Sequence, residues 1–198
     1  MRWPVAFALI ATATAAIGAE PPARLGLEIG GTTIEVEAGQ RFEFQVDGKT
    51  TAARIVELPT RRFDEAGIRF EYPRHFPWEH DAPDMWTLDG NSAVLILTRA
   101  GADADTTAAD LLDGVEESLR STRRTPREKV VLPTRQGDIE GLASNVRIGN
   151  LQMRNEAYVL VAQGARFLLI LQDSLDDDGR PTTEFNEMRK RLATTLEF

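Results

Sequence analysis

Both histidines of the chain lie in one short segment that also carries carboxylates and large aromatic side chains. The segment is Tyr72–Trp86, with the sequence YPRHFPWEHDAPDMW. Imidazole and carboxylate groups are preferred ligands of Zn²⁺ and similar ions. The candidate metal ligands here are His75, Glu79, His80 and Asp81. Pro77 lies between the histidines, so their spacing has no helical register. The ligand types fit a metal ion but the spacing does not, and we expect neither a metal nor another cofactor.

The aromatic side chains of the same segment suggest either a surface for a partner or a cover for the core. The candidates for partner binding are Phe76, Trp78 and Trp86. Tryptophan is enriched among the residues that dominate binding energy at interfaces, so an exposed Trp78 would favour this hypothesis. The alternative is a proline-stiffened loop whose aromatic rings cover the sheet edge or the core. A Trp78 packed inward, with separated histidines, would favour that alternative.

The sequence lacks the motifs of the common catalytic sites. Nucleophilic catalysis needs a Ser, Thr or Cys beside a base, which is usually His. No Gly-x-Ser-x-Gly elbow, phosphate-binding loop or Gly-x-Gly-x-x-Gly occurs. A histidine-dependent triad would have to use the Tyr72–Trp86 segment. We therefore expect a protein without enzymatic activity.

The composition narrows the classes of partner. The chain carries a formal net charge of −8, which favours solubility and argues against broad nucleic-acid binding. It contains no cysteine, so thiol catalysis, thiolate metal sites and disulfides are excluded. We expect a protein or envelope component as partner, and no nucleic acid.

The first nineteen residues, 1–19, resemble a secretory signal peptide. Arg2 supplies a short positive region, Val5–Ala16 is apolar or small throughout, and Ile17–Ala19 fits a cleavage site. This apolar run is short for a membrane span, although an uncleaved anchor is the alternative. We therefore expect a secreted or periplasmic protein whose mature form has no stable membrane span.

A hairpin predicted at Leu151–Asp173, with its turn at Gln163–Ala165, organises the fold. Its second arm, Phe167–Leu171, is apolar at every position, as in a strand covered on both faces or a buried helix. The short length and the nearby Gly164 favour a strand. Ala93–Leu97 repeats this pattern. The segments with helical spacing that would cover such strands are Thr107–Ser121 and Pro181–Ala193.

The rest of the chain divides into an N-terminal extension and a main domain. Residues 25–58 alternate apolar and polar side chains as short strands, with turns at Gly30–Gly31 and Asp47–Gly48. We expect Pro59–Ala66 to be a polar connector and 67–198 to be the main domain. The predicted strands that open this domain as a meander are Ile68–Pro73, Met85–Leu88 and Ser92–Thr98.

The segment Gly67–Phe198 resembles the PsbP-like family, which includes DcrB-type bacterial lipoproteins. The residues that carry the resemblance are GIRFEYP at Gly67–Pro73, then Trp86, Phe185, Met188 and the ending Leu196–Phe198. The resemblance implies an α+β fold: an α/β/α sandwich with an antiparallel sheet of about six or seven strands between two helices. It also implies a non-catalytic binding or accessory role. This chain departs from the family in lacking a lipid-anchoring cysteine and in carrying the extension at 25–58.

The sequence therefore predicts an exported, non-enzymatic binding or accessory protein. Recognition would use the Tyr72–Trp86 segment or the N-terminal strands. The alternative is a metal-binding protein or metal-dependent hydrolase built on His75 and His80.

Overall fold

A computed structural model of the protein describes residues 20–37, 53–81, 84–101, 105–119, 123–124 and 126–198. Within these ranges the chain forms thirteen strands and two helices, and all strand pairs are antiparallel. The protein is thus α+β, as predicted. In chain order the elements are β1 (Leu25–Ile29), β2 (Thr32–Val36), β3 (Ala53–Glu57), β4 (Thr60–Glu65), β5 (Ile68–Pro73), β6 (Trp78–Asp81), β7 (Met85–Asp89), β8 (Ala93–Arg99), α1 (Ala108–Ser118), β9 (Arg123–Arg124), β10 (Glu128–Thr134), β11 (Gly137–Ile148), β12 (Leu151–Ala162), β13 (Ala165–Ser174) and α2 (Thr183–Thr195).

The main sheet has the strand order β10-β11-β12-β13-β8-β7-β6, and β9 also pairs with β11. The two apolar strands predicted from sequence are neighbours in its interior, with Ile96 of β8 opposite Ile170 of β13. All five residues of Phe167–Leu171 are buried, although successive side chains of a strand point to opposite faces. The predicted hairpin is confirmed, and Gln163 and Gly164 form its turn with φ of 49° and 78°.

The two helices lie within or close to the segments that their apolar spacing predicted. The Thr107 side chain accepts a hydrogen bond from the Asp110 backbone N–H, and the Asp110 side chain accepts one from the Thr107 backbone, which is a capping box. Helix α2 begins at Thr183 with Thr182 as its N-cap, so Pro181, the first residue of the predicted helical segment, precedes the cap. The buried face of α2 consists of Phe185, Met188 and Leu192.

The prediction of a polar connector at Pro59–Ala66 is wrong. Thr60–Glu65 is strand β4, which forms a two-stranded hairpin with β5. Phe63 is fully buried, and its ring stacks on Phe70 with a centroid distance of 4.8 Å. The charged residues around Phe63 face outward, so one aromatic side chain was the only apolar signal of this strand.

The predicted opening meander is also wrong in its first strand. Strand β5 pairs with β4, whereas β7 pairs with β6 on one side and with β8 on the other. Strand β6 lies inside the segment that was predicted to be a loop. Strand β6 was not predicted because it is short and is flanked by prolines.

The N-terminal strands form a separate three-stranded sheet in which β1 lies between β2 and β3. This sheet does not pair with the main sheet in the described part of the chain. Residues 38–52 of the predicted extension, with the Asp47–Gly48 turn, and the predicted signal peptide at 1–19 lie outside the described residues.

One edge of the main sheet is strand β10, which continues past Pro133 to Thr134. The carbonyl oxygen of Val131 accepts a hydrogen bond of 2.6 Å from the Arg189 side chain. Pro133 has no N–H to offer to another strand. These two features hinder the addition of a further strand at this edge. No helix in the described ranges is both long and apolar enough to cross a membrane.

Candidate functional site

The four predicted metal ligands do not converge. On β6 the side chains of Glu79 and Asp81 are exposed, whereas His80 lies on the opposite, partly buried face. His75 lies in the turn before β6, where its Nε2 is 2.8 Å from Glu184 Oε1. Among the described residues, no group of three or more His, Asp or Glu could hold a metal ion.

His80 belongs to an aromatic stack. Its ring lies parallel to the Trp86 ring, with a centroid distance of 5.2 Å and an interplanar angle of 5°. The Trp78 ring lies 5.9 Å from His80. Within the described ranges, the indole N–H of Trp78 and the Nε2 atom of His80 are buried without a hydrogen-bond partner. The histidine therefore packs against aromatic rings on two sides.

Two of the three aromatic candidates for partner binding lie in the core. Phe76 is fully buried and Trp86 is 96% buried, and both belong to the main apolar cluster. Trp78 is partly buried and packs against the same cluster. The burial of Phe76 and Trp86 corrects their prediction as surface anchors, since a side chain enclosed by its own protein is not available to a partner.

A polar cluster missed by the sequence analysis surrounds Glu184, in the first turn of α2. Glu184 Oε2 accepts hydrogen bonds from the Ser92 N–H at 2.6 Å, the Ser92 hydroxyl at 2.9 Å and the Ala93 N–H at 3.1 Å. His75 contacts the other carboxylate oxygen. Helix α2 is thereby fastened to the turn between β7 and β8. We call His75, Ser92, Asp173, Thr182 and Glu184 the Glu184 cluster.

The second carboxylate of the Glu184 cluster fixes the cap of α2. Asp173, at the end of β13, is fully buried. It accepts hydrogen bonds from the Thr182 hydroxyl at 2.6 Å and the Thr182 N–H at 2.9 Å. The Ser92 hydroxyl lies 3.1 Å from the Thr182 hydroxyl. The start of α2 is therefore held by residues of two strand ends.

The two carboxylates respond differently to their surroundings. Burial alone would raise the pKa of Glu184, but hydrogen bonds from Ser92 and His75 outweigh it and lower the pKa to about 2. For Asp173, burial dominates and raises the pKa, while the hydrogen bonds from Thr182 oppose the shift. Glu184 is therefore ionised throughout the physiological range, and its low pKa makes it a weak base.

The Glu184 cluster contains the residue types of a nucleophilic site, but not in the required order. A serine nucleophile needs a base in contact with its hydroxyl. Here Glu184 lies between His75 and Ser92, and no hydrogen bond joins His75 to Ser92 in the described residues. The arrangement is suited to holding α2 on the sheet. Thr182 beside an acidic first turn was a local sequence signal of the helix cap. The hydrogen bonds between Glu184 and Ser92 had no such local signal.

The N-terminal sheet presents an apolar face. Leu27 of β1 lies opposite Ile34 of β2 and opposite Ile55 of β3, so the three side chains share one face. Leu27 is buried, whereas Ile34 is 54% and Ile55 65% exposed. We call these three residues the isoleucine row.

The opposite face of this sheet is polar and carries a link to the rest of the protein. Arg24 lies 2.6 Å from Glu35 of β2 and 2.7 Å from Glu71 of β5. Arg24 also donates a hydrogen bond of 2.8 Å to the Thr60 hydroxyl of β4. These contacts join β2 to the β4–β5 hairpin without using the isoleucine row.

Comparison with known proteins gives no match to a family model and no match to a curated protein. The resemblance to the PsbP-like family thus stays a prediction, based on Gly67–Pro73 and the residues that follow it.

Proposed function

We propose that this protein is an exported, non-enzymatic binding protein that recognises an apolar surface of a partner protein in the envelope. The observation that carries this proposal is the exposure of Ile34 and Ile55 in one row of the N-terminal sheet. Clustered apolar side chains at a protein surface are typical of interaction sites. Of the two surfaces predicted from sequence, the N-terminal strands fit this role better, because the other one buries its aromatic side chains.

The isoleucine row would supply part of the binding energy. Complete burial of an isoleucine is worth about 1.5–3 kcal/mol, and both side chains are already partly covered. Ile34 and Ile55 together would thus contribute about 2–3 kcal/mol. Leu27, already buried between them, would form the floor of the contact.

Non-enzymatic function is supported by the state of the polar residues. Glu184 has a low pKa and its oxygens are occupied by donors of the protein itself. The alternation of β6 separates His80 from Glu79 and Asp81, and His75, which lies before the strand, contacts Glu184. Among the described residues, no group of three or more His, Asp or Glu could hold the metal ion that the hydrolase hypothesis needs.

The fold that we propose is the α/β/α sandwich of the PsbP-like family. Phe167, Leu169 and Leu171 belong to the cluster that includes the buried face of α2, whereas Leu168 and Ile170 are buried outside it. This division supports one helix on each face of β13. Nuclear Overhauser contacts from Leu112 of α1 to Leu168 or Ile170 would be expected. Contacts from Leu112 to Leu169 instead would contradict the proposal.

Export is tested by the mass of the protein recovered from the envelope of an expressing bacterium. Cleavage after Ala19 predicts a mature chain that starts at Glu20. Recovery of a chain that retains residues 1–19 in the cytoplasm would contradict export, and its recovery in the membrane would indicate an uncleaved anchor.

Partner binding is tested by a photo-reactive amino acid placed at Ile55 in the native envelope. Val161 is the matched control, because it is an exposed apolar residue of similar accessibility on the main sheet. We expect a defined crosslinked protein at position 55 and none at position 161. An Ile34→Glu, Ile55→Glu variant should bind the captured partner at least tenfold less tightly, in line with the energy above. Equal crosslinking at both positions, or unchanged affinity, would reject the isoleucine row as the binding surface.

A further inference from the structure

A second surface feature, independent of the proposed function, is a polar cleft of about 330 Å³. It lies between the β4–β5 hairpin, the end of α2 and the turn after β10. The charged groups that line it are Arg62, Arg69, Glu71, Arg135 and Glu197. Neither the isoleucine row nor the Glu184 cluster contributes to it.

The main carboxylate of the cleft is already neutralised. Glu71 Oε1 lies 2.7 Å from Arg24, and Oε2 accepts a hydrogen bond of 3.3 Å from the Thr60 hydroxyl. Arg69 lies 2.9 Å from Asp64 and 3.6 Å from Glu197. The paired groups of the cleft thus contribute little net charge to its interior.

Two guanidinium groups of the cleft retain donors for a ligand. The carboxylate oxygens nearest to Arg62 belong to Glu35, at 3.6 Å, and to Glu71, at 3.8 Å. Both carboxylates have Arg24 as a closer partner. In the described part of the chain no carboxylate lies within ion-pair distance of Arg135. Each guanidinium offers five N–H donors in a fork that matches two oxygens of an oxyanion.

We propose that this cleft binds a small organic oxyanion, a carboxylate or a phosphate. Arg62 and Arg135 hold the oxyanion, and Glu197 accepts a hydrogen bond from an amine or hydroxyl of the same ligand. The volume of the cleft leaves room for an organic part beyond the acidic group. The mixed lining selects a ligand that carries both an acid and a hydrogen-bond donor.

The experiment is a titration of the protein with inorganic phosphate and, separately, with acetate, followed by the backbone amide resonances. Chloride keeps the ionic strength constant, because screening alone alters the environment of surface charges. We expect saturable shifts confined to Arg62, Glu71, Arg135 and their neighbours, with a dissociation constant on the order of 1 mM for the better anion. The anion that binds more tightly identifies the acidic group of the ligand.

Two double variants with the same change in net charge distinguish a specific oxyanion site from non-specific electrostatic attraction. In an Arg62→Gln, Arg135→Gln variant, binding should weaken by at least about a hundredfold, because at least two charge-assisted hydrogen bonds are lost. An Arg54→Gln, Arg180→Gln variant, changed at two exposed arginines outside the cleft, should bind as the unchanged protein does. Arg135→Lys should also weaken binding, since lysine keeps the charge but loses the fork.

Three results would overturn the proposal: shifts that do not saturate with either anion, shifts spread over all surface arginines, or equal weakening in both double variants. None of these results depends on the isoleucine row. The oxyanion site and the partner surface can therefore fail separately.

Discussion

Glu184 illustrates how one side chain can fix the position of a whole helix. Its two oxygens accept hydrogen bonds from groups on two separate turns, before β6 and before β8. The carboxylate is therefore bound more strongly in the folded protein than in water, which is the reason for its low pKa. The Glu184 carboxylate therefore stabilises the folded protein through its negative charge, and this stabilisation depends on pH.

A Glu184→Gln substitution should lower the free energy of unfolding by about 2 kcal/mol at neutral pH, because hydrogen bonds to a charged acceptor are lost. The pKa of Glu184 is depressed from 4.5 to about 2. Its contribution is thus complete above about pH 4.5 and disappears as the pH falls towards 2. Urea unfolding of both proteins across this range measures the difference. A difference that stays constant with pH would contradict the assignment to the carboxylate.

Two fully buried tyrosines provide a matched pair. The Tyr158 hydroxyl donates a hydrogen bond of 2.6 Å to Glu156, whereas the Tyr72 hydroxyl has no hydrogen-bond partner within the described residues. We expect Tyr158→Phe to cost about 1–2 kcal/mol, and Tyr72→Phe to be neutral or to stabilise by up to about 1 kcal/mol. Thermal melts of the two variants measure this contrast. Equal losses would mean that the Tyr72 hydroxyl is hydrogen-bonded in solution.

At the scale of elements, a strand was easier to predict from sequence when more of its side chains are buried. Strands β8 and β13 were predictable because an unbroken apolar run is rare outside a covered sheet. Strand β4 was not predictable, since Phe63 alone marks its buried face. Strand β6 was concealed by its prolines, and its pairing with β7 depends on a register that no local pattern specifies.

The Glu184 cluster could not be predicted for a related reason. The cap of α2 was predictable in part, because Pro181 and the apolar spacing located the helix. The partners of Glu184 are His75 and Ser92, which are far away in sequence and belong to different turns. Only the folded sheet brings them together.

Two glycines in different elements should respond oppositely to alanine. Gly114, inside α1, has open space around the position of a Cβ atom, so Gly114→Ala should stabilise the protein by about 0.5–1 kcal/mol. A Cβ atom at Gly90, in the turn between β7 and β8, would lie 2.6 Å from the Phe76 ring and 2.8 Å from the Ala93 carbonyl oxygen. Gly90→Ala should therefore destabilise by about 1–3 kcal/mol. Chemical denaturation measures both changes, and a stabilising Gly90→Ala would contradict the packing of this turn.

At the scale of the whole molecule, the described residues form three sheets that are joined by specific contacts. The main sheet carries the larger apolar core, which the β4–β5 hairpin extends through Phe63 and Phe70. The N-terminal sheet is linked to that hairpin through Arg24. Arg62 and Arg74 also pair with Glu35 and Glu57 of this sheet, but Arg24 makes the closest contacts to both Glu35 and Glu71.

An Arg24→Gln substitution should loosen the N-terminal sheet selectively. Removing one member of a partly buried ion cluster leaves Glu35 and Glu71 without their closest partner, which costs about 2 kcal/mol. Amide protons of β1–β3 should then exchange at least tenfold faster, while those of β12 and β13 remain protected. Arg54→Gln is the control, because its pair with Glu28 lies within the N-terminal sheet and is exposed. Uniformly faster exchange throughout the protein would indicate that the sheets unfold as one unit.

The pairing of β8 with β13 also has a consequence for how the protein reaches its native state. Ala93 lies opposite Asp173, and Arg99 lies opposite Phe167, so the paired residues are far apart in sequence. Because synthesis proceeds from the N-terminus, β8 leaves the ribosome long before β13. Until β13 has been synthesised, this apolar strand lacks one of its two partners. Such distant pairing gives the chain a high contact order, which predicts refolding over milliseconds to seconds, not microseconds. A chaperone that shields β8 during this interval would reduce aggregation without any contact to the finished protein.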